Sequence, residues 1–145
     1  LGIEIIEPFA EYCGALAGII GKTDCTTLTE LRRRFSSSVG HTVSLYPYGP
    51  EDLTGKKLAL VAGGGLTETI EEAIEKKAEV FVSGITVKNI HSEEAHSRSE
   101  IAGVSILGGT HYSTEKFACI KMADFFAKAG LPARFLEDSP ELEDM

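Results

Sequence analysis

His111 and Glu115 are the residues of this chain whose types and spacing point most directly to chemistry. They stand in the run Gly108-Gly109-Thr110-His111-Tyr112-Ser113-Thr114-Glu115. If that run opens a helix, positions i and i+4 share one face, and an imidazole and a carboxylate project together from the helix start. Such a donor pair suits zinc, iron or manganese. One pair supplies fewer protein ligands than a typical zinc site, which has three or four. The same residues also admit a structural reading. Thr110 or Ser113 would be an N-cap, Glu115 an acid favoured at the positive end of the helix dipole, and His111 an ordinary turn histidine.

Three further groups carry candidate chemistry. Gly63, Gly64 and Gly65 follow an apolar run and precede a helical pattern, so their amides would face an anion at a helix start. There is neither a GxGxxG fingerprint nor a Walker lysine there, and a glycine turn often only makes room. Arg32, Arg33 and Arg34 form the strongest positive cluster, read as a solvated helix face rather than an anion site. His91, Glu93, Glu94, His96 and Glu100 fall in a stretch poor in large apolar residues, which predicts a solvent-facing helix within residues 86–102.

The elements that must position these groups follow from periodicity. Residues 104–107, Val-Ser-Ile-Leu, read as a buried strand, and Phe117, Ile120, Met122, Ala123, Phe125 and Phe126 recur at helical spacing after it. Residues 57–62 read as a second strand, residues 67–74 as a helix ending near Lys76-Lys77, and residues 79–84 as a third strand. Upstream, Thr27 and Glu30 have capping-box spacing ahead of Leu28, Leu31 and Phe35, and Gly40 ends that helix. Residues 1–6 are apolar with two glutamates and run into a strand, and Pro8 ends any helix there. Residues 10–21, with Gly14, Gly18 and Gly21, read as one irregular strand. Residues 42–46 read as a short strand, 47–55 as a loop, and 132–136 as a last strand or extended segment. The acidic residues 137–145 read as a fraying tail. Strands alternating with helices predict an α/β layered domain with a mixed β-sheet flanked by helices. Sites in such sheets gather beyond the strand ends, so the two glycine turns are expected near one another. The expected core includes Val61, Phe81, Ile106, Phe117, Phe125 and Phe126.

Composition narrows the classes. With 145 residues, 43% hydrophobic and 25% charged, the chain fits a single globular domain. A net charge of −8 argues against a bulk electrostatic grip on nucleic acid. No apolar run approaches the roughly 20 residues of a membrane-spanning helix, and no secretory pattern opens the chain. Cys13, Cys25 and Cys119 are odd in number and widely spaced, which fits a reducing cytoplasm rather than a disulfide framework. The first residue is Leu rather than Met, which suggests a processed, trimmed or partial chain.

Three segments in order resemble one family: LALVAGGG, EVFVSGITVKNIH and GGTHYSTEKFACIKMADFF. They are similar to the C-terminal half of the Ngg-interacting-factor-three-like proteins, also labelled GTP cyclohydrolase I type 2 homologues. EPFAEYCGALAGIIGKTDCTTLTEL resembles the family's middle region, so the resemblance spans nearly the whole chain. His111 and Glu115 fall on the family's metal-ligand positions within G-x-H-Y-x-T-E. The resemblance implies a dinuclear site of divalent metal ions, with His111 a terminal ligand and Glu115 a ligand able to bridge. It implies a metal-dependent hydrolase acting on a small molecule or nucleotide, and assembly into a homo-oligomeric ring such as a hexamer. From turn chemistry alone, and not from the resemblance, Gly63, Gly64 and Gly65 are expected to line the anionic side of the substrate pocket. The family's other ligands, adjacent histidines and an aspartate, belong to an N-terminal half. Here no two histidines are adjacent, and Ile85 stands where the family often has an acid. The expectation is therefore a single α/β domain lacking the N-terminal half, inactive in isolation. The alternative is a non-catalytic assembly or binding module that keeps the fold.

Overall fold

The computed structural model describes residues 1–138 other than Leu66 and Thr86; most of the predicted fraying tail lies outside the described residues. A mixed six-stranded sheet, ordered β1-β2-β4-β5-β6-β3, forms the middle layer. Its centre is three parallel strands: β4 (Lys57–Val61), β5 (Ala78–Ser83) and β6 (Ser105–Gly108). An antiparallel hairpin of β1 (Ile3–Tyr12) and β2 (Ala15–Thr23) extends one side, and β3 (Ser44–Tyr46) pairs antiparallel with β6 on the other.

Strand alternation sends side chains to two cores. Leu58, Val80, Val82 and Leu107 join α1 (Leu28–Val39) through Leu28, Leu31, Phe35 and Val39. Ala59, Val61, Phe81 and Ile106 join α2 (Thr67–Glu75) and α3 (Glu93–Ala102) through Ile70, Ala73 and Ala95. The helices α2 and α3 share a face because β4, β5 and β6 are laid down in spatial order, and right-handed crossovers in one direction return on one side. The continuous apolar runs of β4 and β5 reflect burial on both faces. The capping expectation at α1 holds: Thr27 Oγ1 accepts the Glu30 N–H at 3.0 Å, and Gly40 closes the helix.

Three expectations need correction. Residues 10–21 are not one strand: β1 ends at Tyr12 and β2 starts at Ala15, with Cys13 and Gly14 at φ 51° and 80°. Two positive φ values in a two-residue loop are the pattern of a type I′ hairpin turn. Pro8 lies within β1, which is tolerable because β1 is an edge strand. The α3 helix is not wholly solvent-facing, since Ala95, His96 and Ser99 are buried while Ile101 is exposed. Of the two readings at residues 132–136, the strand is absent and the extended segment stays open, since residues 131–138 carry no regular secondary structure.

The last correction concerns α4 (His111–Lys128), which follows β6. Val61, Phe81 and Ile106 are buried as expected, but Phe117 is 43% exposed, Phe126 40% and Phe125 68%. Ser113 is the one buried residue of the helix. The helical period is right, but within this chain only the first turns of α4 meet the sheet. An apolar cleft of about 340 Å³ opens between α4 and α1, bordered by Phe35, Val39, Leu60, Val82, Thr114 and Phe117.

Candidate metal centre

The site lies at the carboxyl ends of the three parallel strands. Backbone bonds tie those ends together: Gly84 N–H donates to the Gly63 carbonyl at 2.6 Å, and Gly109 N–H to the Ser83 carbonyl at 2.8 Å. The two glycine turns are thus neighbours, as the layered fold requires. Gly84 is itself a close-packing position, where a Cβ would lie 2.8 Å from both the Gly63 oxygen and Thr114 Oγ1.

The first turn of α4 is fixed by polar contacts. Thr110 is the N-cap: its Oγ1 accepts the Ser113 N–H at 3.0 Å, and Ser113 Oγ accepts the Thr110 N–H at 3.1 Å. This capping box satisfies two amides that a helix start otherwise leaves unpaired. His41 braces the turn from the loop after α1. Its Nδ1–H donates to the Thr42 carbonyl at 3.0 Å, and its Nε2 is hydrogen-bonded to Ser113 Oγ at 2.9 Å. Thr114 Oγ1 accepts the Gly63 N–H at 2.9 Å, joining the helix start to the glycine turn.

This bracing sets His111 and Glu115 on one side of α4, with His111 Nε2 3.6 Å from Glu115 Oε1 and both side chains about half exposed. Two metal–ligand bonds of about 2.0–2.2 Å span about 4 Å end to end, so one ion reaches both atoms at that separation. Gly63 keeps the place open. A Cβ there would lie 2.9 Å from His111 Nε2 and 3.0 Å from the Glu115 carboxyl carbon. Gly63 also has φ +73°, which a side chain rarely adopts. Gly64 N–H donates to His111 Nε2 at 3.3 Å. The donors and the space beside Gly63 therefore fit part of a metal site. Among the described residues no third His, Cys, Asp or Glu gathers with them.

The other named groups are engaged elsewhere. Gly65 gives room to the core, since a Cβ there would lie 2.6 Å from the Phe81 ring. His96 Nδ1 meets Tyr48 Oη at 3.1 Å and its ring packs edge-on to Tyr46. The His91 backbone N–H donates to the Asn89 side chain at 2.8 Å and its side chain is exposed. Arg34 is paired with Asp24 and Glu30, and Arg32 donates to the Val43 carbonyl, so two of the three arginines are tied locally, and Arg33 is exposed. Sequence reasoning missed His41, Ser113 as its partner, and Gly84. The His41–Ser113 contact joins residues 72 apart and leaves no periodic trace.

The class defined here is a mixed-sheet α/β domain with an imidazole–carboxylate pair above the ends of its parallel strands. The chain belongs to the Duf34/NIF3 (NGG1p interacting factor 3) family, whose model matches residues 1–139. It is 28% identical over 137 residues to a GTP cyclohydrolase 1 type 2 homolog of Borreliella burgdorferi, covering 94% of this chain and 51% of that protein. It is 32% identical over 117 residues to a GTP cyclohydrolase 1 type 2 homolog of Pyrococcus horikoshii, covering 79% of this chain and 43% of that protein. The chain thus spans about half the length of these curated relatives. Its fold matches the solved structure of protein ybgI, described as of unknown function, with a TM-score of 0.79 at 16% identity over 97% of this chain and 53% of that one. Among the described residues no helix is long and apolar enough to cross a membrane.

Proposed function

We propose that this chain supplies part of the divalent-metal centre of a metal-dependent hydrolase. His111 binds through Nε2 as a terminal ligand, and Glu115 is the carboxylate able to bridge two ions. The observation that carries this reading is the convergence of His111 Nε2 and Glu115 Oε1 at 3.6 Å beside a glycine whose missing Cβ leaves room for an ion. Zinc, iron or manganese suits the donors. Bound there, such an ion would acidify a water and polarise a substrate. The chain's own part is to orient the donors through the Thr110–Ser113 box and to line the pocket with Gly63 and Gly64, while Gly65 makes room for the Phe81 ring instead. The substrate is a small molecule or nucleotide, in keeping with the cyclohydrolase name its relatives carry. Two donors are too few for tight binding. The remaining ligands come from an N-terminal half, as the family resemblance implies, and assembly as a homo-oligomer ring covers the exposed phenylalanines of α4. The free thiols of Cys13, Cys25 and Cys119 accord with the cytoplasm.

A second reading, a non-catalytic assembly module, is favoured by the same exposed α4 surface. Metal stoichiometry after dialysis separates the two. This chain should hold zinc or manganese weakly, and a form extended by the N-terminal half should hold it tightly. In the extended form His111→Ala or Glu115→Ala should lower metal affinity by more than the roughly 10–100-fold typical of supporting residues. Glu115→Gln should do the same while keeping shape. Metal-free behaviour of both forms would leave the assembly module.

A further inference from the structure

The turn above the donor pair is held to α4 by two hydrogen bonds of different kinds. Gly63 N–H donates to Thr114 Oγ1 at 2.9 Å, an atom that is not one of the proposed metal donors. Gly64 N–H donates to His111 Nε2 at 3.3 Å, and Nε2 is the atom that faces Glu115 Oε1. A neutral imidazole has one unprotonated nitrogen, with one in-plane lone pair. In this arrangement that lone pair belongs to Nε2 and already accepts the Gly64 amide. A metal–nitrogen bond of about 2.0–2.1 Å uses the same lone pair.

We infer that the Gly64 amide is a metal-gated anion donor: it plugs the His111 lone pair in the metal-free chain and is released to an anionic oxygen when an ion takes Nε2. The geometry makes the two states exclusive, because both partners need one orbital. Release does not require the turn to leave. Gly63 stays tethered through Thr114 Oγ1, and its carbonyl stays bound to Gly84 N–H at 2.6 Å. The freed N–H therefore stays beside the ion, where a carboxylate or phosphate oxygen held next to the ion would accept it. Gly64 suits this place because it has no side chain: a Cβ there would lie 3.1 Å from His111 Cε1, a tight contact against the ring. The inference rests on the proposed metal reading and assigns the glycine turn its part in recognition, that of a donor to small oxyanions.

The test is nuclear magnetic resonance on the ¹⁵N-labelled 145-residue chain, with zinc alone and then zinc plus acetate. In the metal-free protein a coupling across the hydrogen bond should link the Gly64 amide nitrogen to His111 Nε2. Zinc should shift the Nε2 resonance, and the coupling should vanish at the same midpoint, while Gly63 keeps its slow solvent exchange. Acetate should then move the Gly64 amide only in the zinc-loaded sample. A shifted Nε2 with the coupling intact would overturn the inference and leave the metal reading standing. Acetate moving Gly64 equally with and without zinc, or in neither sample, would overturn the gating. An Nε2 unmoved at saturating zinc would overturn the metal reading itself, and the inference with it.

Discussion

The two faces of the sheet are closed in different ways. Over one, α2 and α3 seal a core of Phe81, Ile106, Ile70, Ala73 and Ala95, tight enough to hold His96 inside it. Over the other, α1 seals its half, while α4 touches down at its first turns and leaves a cleft of about 340 Å³ beside Phe35, Val82 and Phe117. Each face carries a histidine on a helix. The sealed His96 is a core side chain with a tyrosine partner, and the half-exposed His111 sits with a carboxylate at the open edge. The contrast teaches that burial and chemistry are divided between the faces. A polar group on the finished face holds structure together, and a polar group on the unfinished one stays accessible to a ligand.

The largest expected effect tests that division directly. Phe81→Ala empties the sealed core and should cost about 3–5 kcal/mol in urea or thermal unfolding. Phe125→Ala, on a residue 68% exposed, should change stability by no more than about 0.5 kcal/mol. It should instead weaken self-association in light scattering. Equal costs for the two would mean that α4 is packed in this chain after all, and the contrast between the faces would fail.

The sequence was legible where a local rule and the tertiary structure agree. The apolar runs of β4 and β5, the Thr27 cap and the meeting of the two glycine turns all follow from local chemistry plus one topological rule. So does the helical i+4 alignment that brings His111 to Glu115. Three features were not legible, for separate reasons. The Cys13–Gly14 turn lies in a run of small apolar residues with no strong turn dipeptide, so the hairpin looked like one strand. The α3 helix turns His96 inward and Ile101 outward, opposite to what hydrophobicity suggests. The phenylalanines of α4 have helical spacing, but spacing cannot say whether a covering surface belongs to the same stretch of chain.

The second expected effect is in pH and concerns the sealed face. Burial, with a smaller push from the Lys88 charge, lowers the His96 pKa below its ordinary 6.5. Around it stand Tyr46 and Tyr48, with Tyr48 held above its usual range by burial and by Glu100. The sign follows from linkage. Above about pH 6.5 His96 is neutral folded and unfolded, and its contribution is complete. As pH falls below that value the unfolded chain takes up a proton that the folded chain refuses. Stability then drops by at most about 1.4 kcal/mol per pH unit, until the folded pKa is reached. The variant His96→Gln should remove this component from the pH dependence of the urea midpoint. A wild-type and variant pair that decline in parallel between pH 6.5 and pH 5 would show that His96 is not the buried neutral group it is taken to be.

The smallest effect sharpens the comparison most, because the same chemical change is made to one helix of each kind. Thr27 caps α1 and Thr110 caps α4, each through Oγ1 accepting a backbone N–H at 3.0 Å. Losing such a cap costs about 1 kcal/mol. On α1, Leu28, Leu31, Phe35 and Val39 are buried, so the helix cannot fray without opening its core. Thr27→Ala should therefore lower global stability by about that amount. On α4 the only buried residue is Ser113, a small polar side chain, so opening the first turn exposes little apolar surface and the sheet can stay folded. Thr110→Ala should barely move the unfolding midpoint. It should instead raise amide exchange in the first turn of α4 about fivefold, the population change that 1 kcal/mol represents. Because His111 stands on that turn and Glu115 follows it, metal affinity on the proposed reading should fall with it, though neither proposed ligand has been touched. If Thr110→Ala lowers global stability as much as Thr27→Ala and leaves local exchange unchanged, α4 is an integral part of the folded core, and its donors owe their position to packing rather than to the polar brace of Thr110, Ser113 and His41.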